Sequence, residues 1–141
     1  MCGFVGYKIA EPRKEFTDSL LSSAVDTIHY RGPDHTGFWK SGDGNIALAH
    51  KRLSIIDTSS KGHQPFTYDN KEIVIVFNGE IYNFLDLKKE LSLLGKKFNS
   101  NSDTEVIVAG YSAWGTKIFS RLEGMFSLAI VDNKINKIFL S

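Results

Sequence analysis

The segment EIVIVFNGEIY, Glu72 to Tyr82, contains an unbroken apolar and β-branched run from Ile73 to Phe77. Such a run reads as a strand buried on both faces. It meets Asn78-Gly79, an amide followed by the residue most able to leave regular backbone geometry. A strand ending there delivers a side-chain amide and a backbone N–H to one spot, the pair of donors that an acyl-transfer site uses to hold a developing oxyanion. Asn-Gly is equally a two-residue hairpin signal, and taken alone the pair reads more readily as a turn.

Outward from this strand, the chain alternates short apolar runs with two kinds of helical stripe. On the N-terminal side, Cys2–Ile9 reads as a first strand with Gly3 and Gly6 leaving room for a close approach. Glu11-Pro12-Arg13 is a turn. Phe16, Leu20, Leu21, Ala24, Val25 and Ile28 then recur at helical spacing up to His29, and Arg31-Gly32-Pro33-Asp34 breaks that helix. Gly37–Trp39 reads as a short strand, Ser41–Gly44 as a tight turn, and Ile46–Arg52 as a strand continuing extended to Asp57. Thr58–Tyr68 has turn chemistry throughout and reads as a mobile loop.

On the C-terminal side, Phe84, Leu87, Leu91 and Leu94 form a stripe that stops at Gly95. Ser102-Asp103-Thr104-Glu105 has the form of a capping box ahead of Val106, Ile107, Ala109 and Tyr111, opening a second pair of helices. Trp114-Gly115 interrupts, and Lys117–Leu122 reads as a further short helix. Met125–Val131 and Lys137–Leu140 are two more apolar strands around a turn at Asp132–Lys134. Strands apolar on both faces, joined by short connections, predict two mostly antiparallel sheets packed face to face with helices outside. Ser141 falls at a strand edge, so the chain reads as a fragment lacking C-terminal sheet partners.

The chain of 141 residues is long enough for one cored domain, and 42% hydrophobic with 23% charged residues is a globular composition. Seventeen basic and sixteen acidic side chains nearly cancel. That balance gives no pointer to nucleic acid or to an anionic membrane surface, and no apolar run is long enough to span a bilayer. One cysteine excludes an intrachain disulfide and fits a reducing cytoplasm. It stands at position 2, directly after Met1. His29, His35, His50 and His63 fall on four segments without zinc-type spacing, so no metal site is expected.

Several segments in order carry a resemblance: MCGFVG, RGPD at Arg31–Asp34, AHKRLSIID at Ala49–Asp57, GHQP at Gly62–Pro65, FNGEIYN at Phe77–Asn83, SDTEV at Ser102–Val106 and GMFSLAI at Gly124–Ile130. Together they resemble the glutaminase domain of asparagine synthetase, a glutamine amidotransferase of the N-terminal-nucleophile type. The resemblance implies an α+β, four-layer α/β/β/α sandwich. It implies that removal of Met1 exposes Cys2 with a free α-amine, whose ordinary pKa of about 7.7–8.0 suits a base near neutrality. Cys2 would attack the glutamine side-chain amide, with Asn78 and Gly79 as oxyanion donors. Arg52 would grip the α-carboxylate, Asp103 and Glu80 would face the α-ammonium, and Ser54 and Ile55 would complete the substrate pocket.

By residue type alone, Arg52 is also a solvated strand-end charge and Asp103 a helix N-terminal carboxylate. RGPD reads as a rigid structural turn near the nucleophile, with Tyr30 where the family commonly has histidine. GHQP reads equally as a flap or a plain surface loop. The resemblance further implies no cofactor in this chain, and ATP with magnesium in an ammonia-accepting synthetase domain outside it. It also implies a full-length homodimer. Two alternatives stay open: a glutamine-binding or scaffold domain without turnover, and a glutaminase serving a sugar or another carboxylate.

Overall fold

Alternation along one strand builds the core. The computed structural model describes residues 2–10 and 18–141, and in it the central strand β5 runs Ile73–Ile81. Ile73, Ile75 and Phe77 belong to one buried cluster, whereas Val74 and Val76 belong to another. The period of two thus sends odd positions to one face and even positions to the other. Both faces are covered, which is why the run carries no polar residue before Asn78.

The odd face meets helices α2, Phe84–Leu93, and α3, Asp103–Trp114, through Leu87, Leu91, Val106 and Ile107. The even face meets a second sheet through Ile46 and Leu48 of β3, Ile46–Arg52. On the far side of β3, Ala47 and Ala49 pack on Leu21 and Val25 of α1, Asp18–Asp26. The layers are therefore α1, first sheet, second sheet, and the α2–α3 pair. This is the α/β/β/α sandwich expected from the sequence.

The first sheet has order β1-β3-β2, with β1 at Gly3–Lys8 and β2 at His35–Lys40. The second has order β4-β5-β6-β7, with β4 at Phe66–Tyr68, β6 at Gly124–Asp132 and β7 at Lys137–Leu140. Every recorded strand pair is antiparallel. Among the described residues, no helix is long and apolar enough to cross a membrane.

Helix ends follow local chemistry. Gly95, at φ 83°, closes α2 while its N–H bonds Ser92 and that of Lys96 bonds Leu91, a Schellman arrangement. Ser102 caps α3 by accepting the Glu105 N–H at 3.3 Å. The second half of the expected capping box does not form. The Glu105 carboxylate reaches further back, accepting the N–H groups of Asn99 and Ser100 and the Ser100 hydroxyl. A fully buried carboxylate thereby fixes the turn in front of α3, because three donors replace its lost water.

Other expectations need correction. Asn78-Gly79 is neither the end of β5 nor a hairpin, since both residues stay in the ladder opposite Ser127 and Phe126. Gly79 adopts φ 147°, and a Cβ there would lie 2.2 Å from the Met125 carbonyl oxygen, so only glycine permits this close strand approach. Thr58–Tyr68 is not a plain loop: it contains a 3₁₀ turn at Ser60–Gly62 and the strand β4. Residues 53–57 are irregular rather than extended strand. The Val106–Tyr111 stripe belongs to the single helix α3, and a 3₁₀ turn at Gly115–Arg121 follows it. The helix expected to run to His29 stops at Asp26, followed by a 3₁₀ turn at His29–Arg31. The turn expected at Glu11–Arg13, and Phe16, lie outside the described residues.

Candidate active site

Antiparallel pairing of β1 with β3 sets Gly3 opposite Lys51, which carries Cys2 to the end of β3. There its thiol contacts the Leu53 backbone on both groups, accepting from N at 3.3 Å and donating to O at 3.5 Å. The RGPD turn braces this end from behind. Arg31 donates Nε–H to the Cys2 carbonyl at 2.9 Å. A Cβ on Gly32 would collide with the Lys51 and Arg52 backbone at 2.5 Å, and Asp34 accepts the Ser54 N–H at 2.7 Å.

Across the sandwich, β5 carries Asn78 two residues beyond Val76, on the face that packs on the first sheet. The N-terminus of α3 brings Asp103. These converge on a cleft of about 320 Å³ whose walls include Cys2, Arg52, Ile55, Asn78, Gly79, Glu80 and Asp103. Of the eight residues singled out in the sequence, only Ser54 is absent from the cleft wall; its backbone is held by Asp34 instead. The Asn78 Oδ1 is buried without a partner among the described residues. An amide oxygen can only accept, so the group of this side chain that could meet an oxyanion is its Nδ2–H end.

Arg52 and Asp103 face the cleft as strongly held groups. The Arg52 guanidinium donates to the Ser59 carbonyl at 2.8 Å and to the Asp57 carbonyl. Two of its five N–H groups thus tie down the loop after β3, which the sequence alone did not suggest. Asp103 accepts the N–H of Ile81 at 3.2 Å and of Thr104 at 2.9 Å. Its carboxyl pKa is nevertheless raised, first by burial, against which the backbone donors pull, with the Glu80 charge raising it further. A cation arriving beside it would favour the charged carboxylate and so oppose both effects.

Sequence reading gave no individual role to several residues placed here. Asp57 lines the cleft and joins two of its loops, accepting from Ser59 N and Oγ and from Asn101 N at 2.8 Å. Those donors hold its carboxyl below the ordinary range, the Ser59 hydroxyl first. Gln64, within GHQP, is buried at 5% exposure and bonds Phe77 and Thr104, so it is an internal tie rather than the tip of a flap. Ile56, Tyr82 and Met125 form the apolar rim. The only signal for Asp57 and Gln64 was their membership in AHKRLSIID and GHQP. His35 and His63 stack with ring centroids 3.6 Å apart. Among the described residues, no group of three or more His, Cys, Asp or Glu is disposed to hold a metal.

The whole chain, residues 1–141, matches the model of the glutamine amidotransferase domain. It is 40% identical over 132 residues, 92% of its length, to asparagine synthetase [glutamine-hydrolyzing] 1 of Bacillus subtilis. It is 42% identical over 142 residues to asparagine synthetase [glutamine-hydrolyzing] 2 of the same species, covering 99% of this chain. It spans 20% and 18% of those two relatives. Among solved structures, glutamine phosphoribosylpyrophosphate amidotransferase from B. subtilis matches with a TM-score of 0.75 at 20% identity, covering 94% of this chain and 35% of that one. That likeness concerns the fold. The chain belongs to the family of glutamine amidotransferase domains.

Proposed function

We propose that residues 1–141 form a glutaminase unit that releases ammonia from the glutamine side chain through a thioester on Cys2. The observation that carries this reading is a cysteine at position 2, from the first sheet, sharing one cleft with Asn78-Gly79 of the second. The Cys2 sulfur attacks the amide carbon, and the carbonyl electron pair moves onto oxygen, where the Asn78 amide and the Gly79 N–H receive it. The α-amine of Cys2, freed by loss of Met1, takes the thiol proton and returns it to the leaving nitrogen. Ammonia departs, water then attacks the thioester, and glutamate leaves. Arg52 and Asp103 bind the α-carboxylate and α-ammonium. Glu80 and Ile55 line the same wall, with Ser54 held just behind Ile55.

The ammonia serves an ATP- and magnesium-dependent synthetase domain that amidates aspartate to asparagine, in a cytoplasmic, homodimeric full-length protein. What supports that acceptor is that the relatives at 40–42% identity are asparagine synthetases. The test is a glutaminase assay on protein whose N-terminal mass has been measured. Turnover should track the Met1-free fraction. It should rise with pH through about 7.7–8.0 as the amine loses its proton, because only the neutral amine is a base. Equal turnover with Met1 retained would contradict the amine's role. A Met1-free chain that binds glutamine without releasing glutamate would establish a binding or scaffold domain instead.

A further inference from the structure

Two buried side chains finish the edge of β5 at the point where the candidate oxyanion donors begin. β4 pairs Phe66 with Ile75, a register that sets residue 64 opposite Phe77. Strand pairing stops short of it, since β4 begins at Phe66. On the other flank, Leu128 lies opposite Phe77 but exchanges its N–H and C=O with Ser141. Phe77 and Leu128 are therefore a non-hydrogen-bonded pair, and the Phe77 backbone groups face the edge that β4 does not reach. Side chains take the place of the strand. Gln64 Oε1 accepts the Phe77 N–H at 2.6 Å, and His50 Nε2 lies 3.0 Å from the Phe77 carbonyl oxygen.

A carbonyl only accepts, so Nε2 carries the ring proton. Burial holds the imidazole pKa down to about 4, which keeps that neutral tautomer at working pH. The Gln64 amide also donates to Thr104 Oγ1 at 3.2 Å, beside Asp103. His50 is fully buried and comes from the first sheet, so this contact reaches across the sandwich. Without these partners, both polar groups of the Phe77 peptide would be buried and unpaired, and the strand would twist to find others.

We infer that Gln64 and His50 are positioning residues for the oxyanion hole, fixing Phe77 so that Asn78 and Gly79 meet the substrate carbonyl without rearrangement. This rests on the glutaminase reading above. The ladder supports it, since residue 79 lies on the same edge as residue 77. A donor pair displaced by a fraction of an ångström still admits glutamine but stabilises its tetrahedral adduct poorly.

The experiment compares the intact protein with Gln64→Met, His50→Leu and His50→Gln in two assays. One is steady-state glutamine hydrolysis. The other is inhibition by the analogue whose side-chain amide is an aldehyde, to which the Cys2 sulfur adds while the carbonyl pair becomes an oxyanion in the hole. Gln64→Met should lower kcat about 10-fold or more while the glutamine KM stays within about 3-fold, and aldehyde inhibition should weaken in parallel with kcat/KM. His50→Gln, which keeps an N–H donor, should recover activity that His50→Leu loses. A purely structural tie would leave folded variants with an unchanged kcat and unchanged aldehyde inhibition, and that result overturns the inference alone. If Gln64→Met melts below the assay temperature, the two His50 variants decide. A wild type without cysteine-dependent turnover overturns the glutaminase reading and this inference with it.

Discussion

Cys2→Ala is expected to reduce glutamate release by about 10⁴-fold or more, measured with the same Met1-free N-terminus and saturating glutamine. The change removes the sulfur and leaves every other wall of the cleft in place. Its structural cost is small: Cys2 is half-buried, precedes β1, and its thiol hydrogen-bonds the Leu53 backbone. The Cys2 carbonyl still accepts from Arg31, so the N-terminus stays anchored. An unchanged melting temperature with abolished turnover is the expected pair of results. Loss of both together would mean that the thiol matters to folding.

Asn78→Ala is the second large effect. Losing one oxyanion donor costs about 10²–10³ in kcat, with a smaller change in KM, because the donor acts on charge that develops after binding. Truncation also removes the buried Oδ1 that lacks a protein partner, so folding stability should hold or improve. This sign separates the site from the plain structural role of an asparagine in a strand. A structural asparagine would cost stability when truncated and leave kcat alone. Thermal melts and steady-state kinetics on one preparation check both.

Much of this was legible because burial writes itself into periodicity. The double-sided run Ile73–Phe77 announced a covered strand, and the stripe from Phe84 announced α2 with its glycine stop. The ordered motifs carried the site further than spacing did, since seven of the eight named residues meet at one cleft. Three features were not legible, each for a tertiary reason. Gly79 stays in the ladder because the Met125–Phe126 backbone passes where a Cβ would be. Glu105 bypasses its capping partner because Asn99 and Ser100 offer three donors behind it. Arg52 reads as a free strand-end charge until the loop after β3 folds its carbonyls onto the guanidinium. Only the first partner is distant in sequence; Glu105 and Arg52 find theirs in adjoining turns, where no periodicity describes the backbone.

His50 shows the limit most clearly. Its sequence neighbours Ala49 and Lys51 mark an ordinary strand position, and nothing local sets this histidine apart. What matters is that β4 stops at Phe66 and leaves the Phe77 carbonyl to be satisfied from another sheet. No periodicity encodes a strand that stops early.

Covalent chemistry at Cys2 is read out by acid quenching of the enzyme during turnover of isotopically labelled glutamine, with mass analysis of the N-terminal peptide. Label is expected on Cys2 as a γ-glutamyl thioester, lost on hydroxylamine treatment and absent in Cys2→Ala. Glutamate release at full rate with no label on Cys2, or label on another residue, would contradict it.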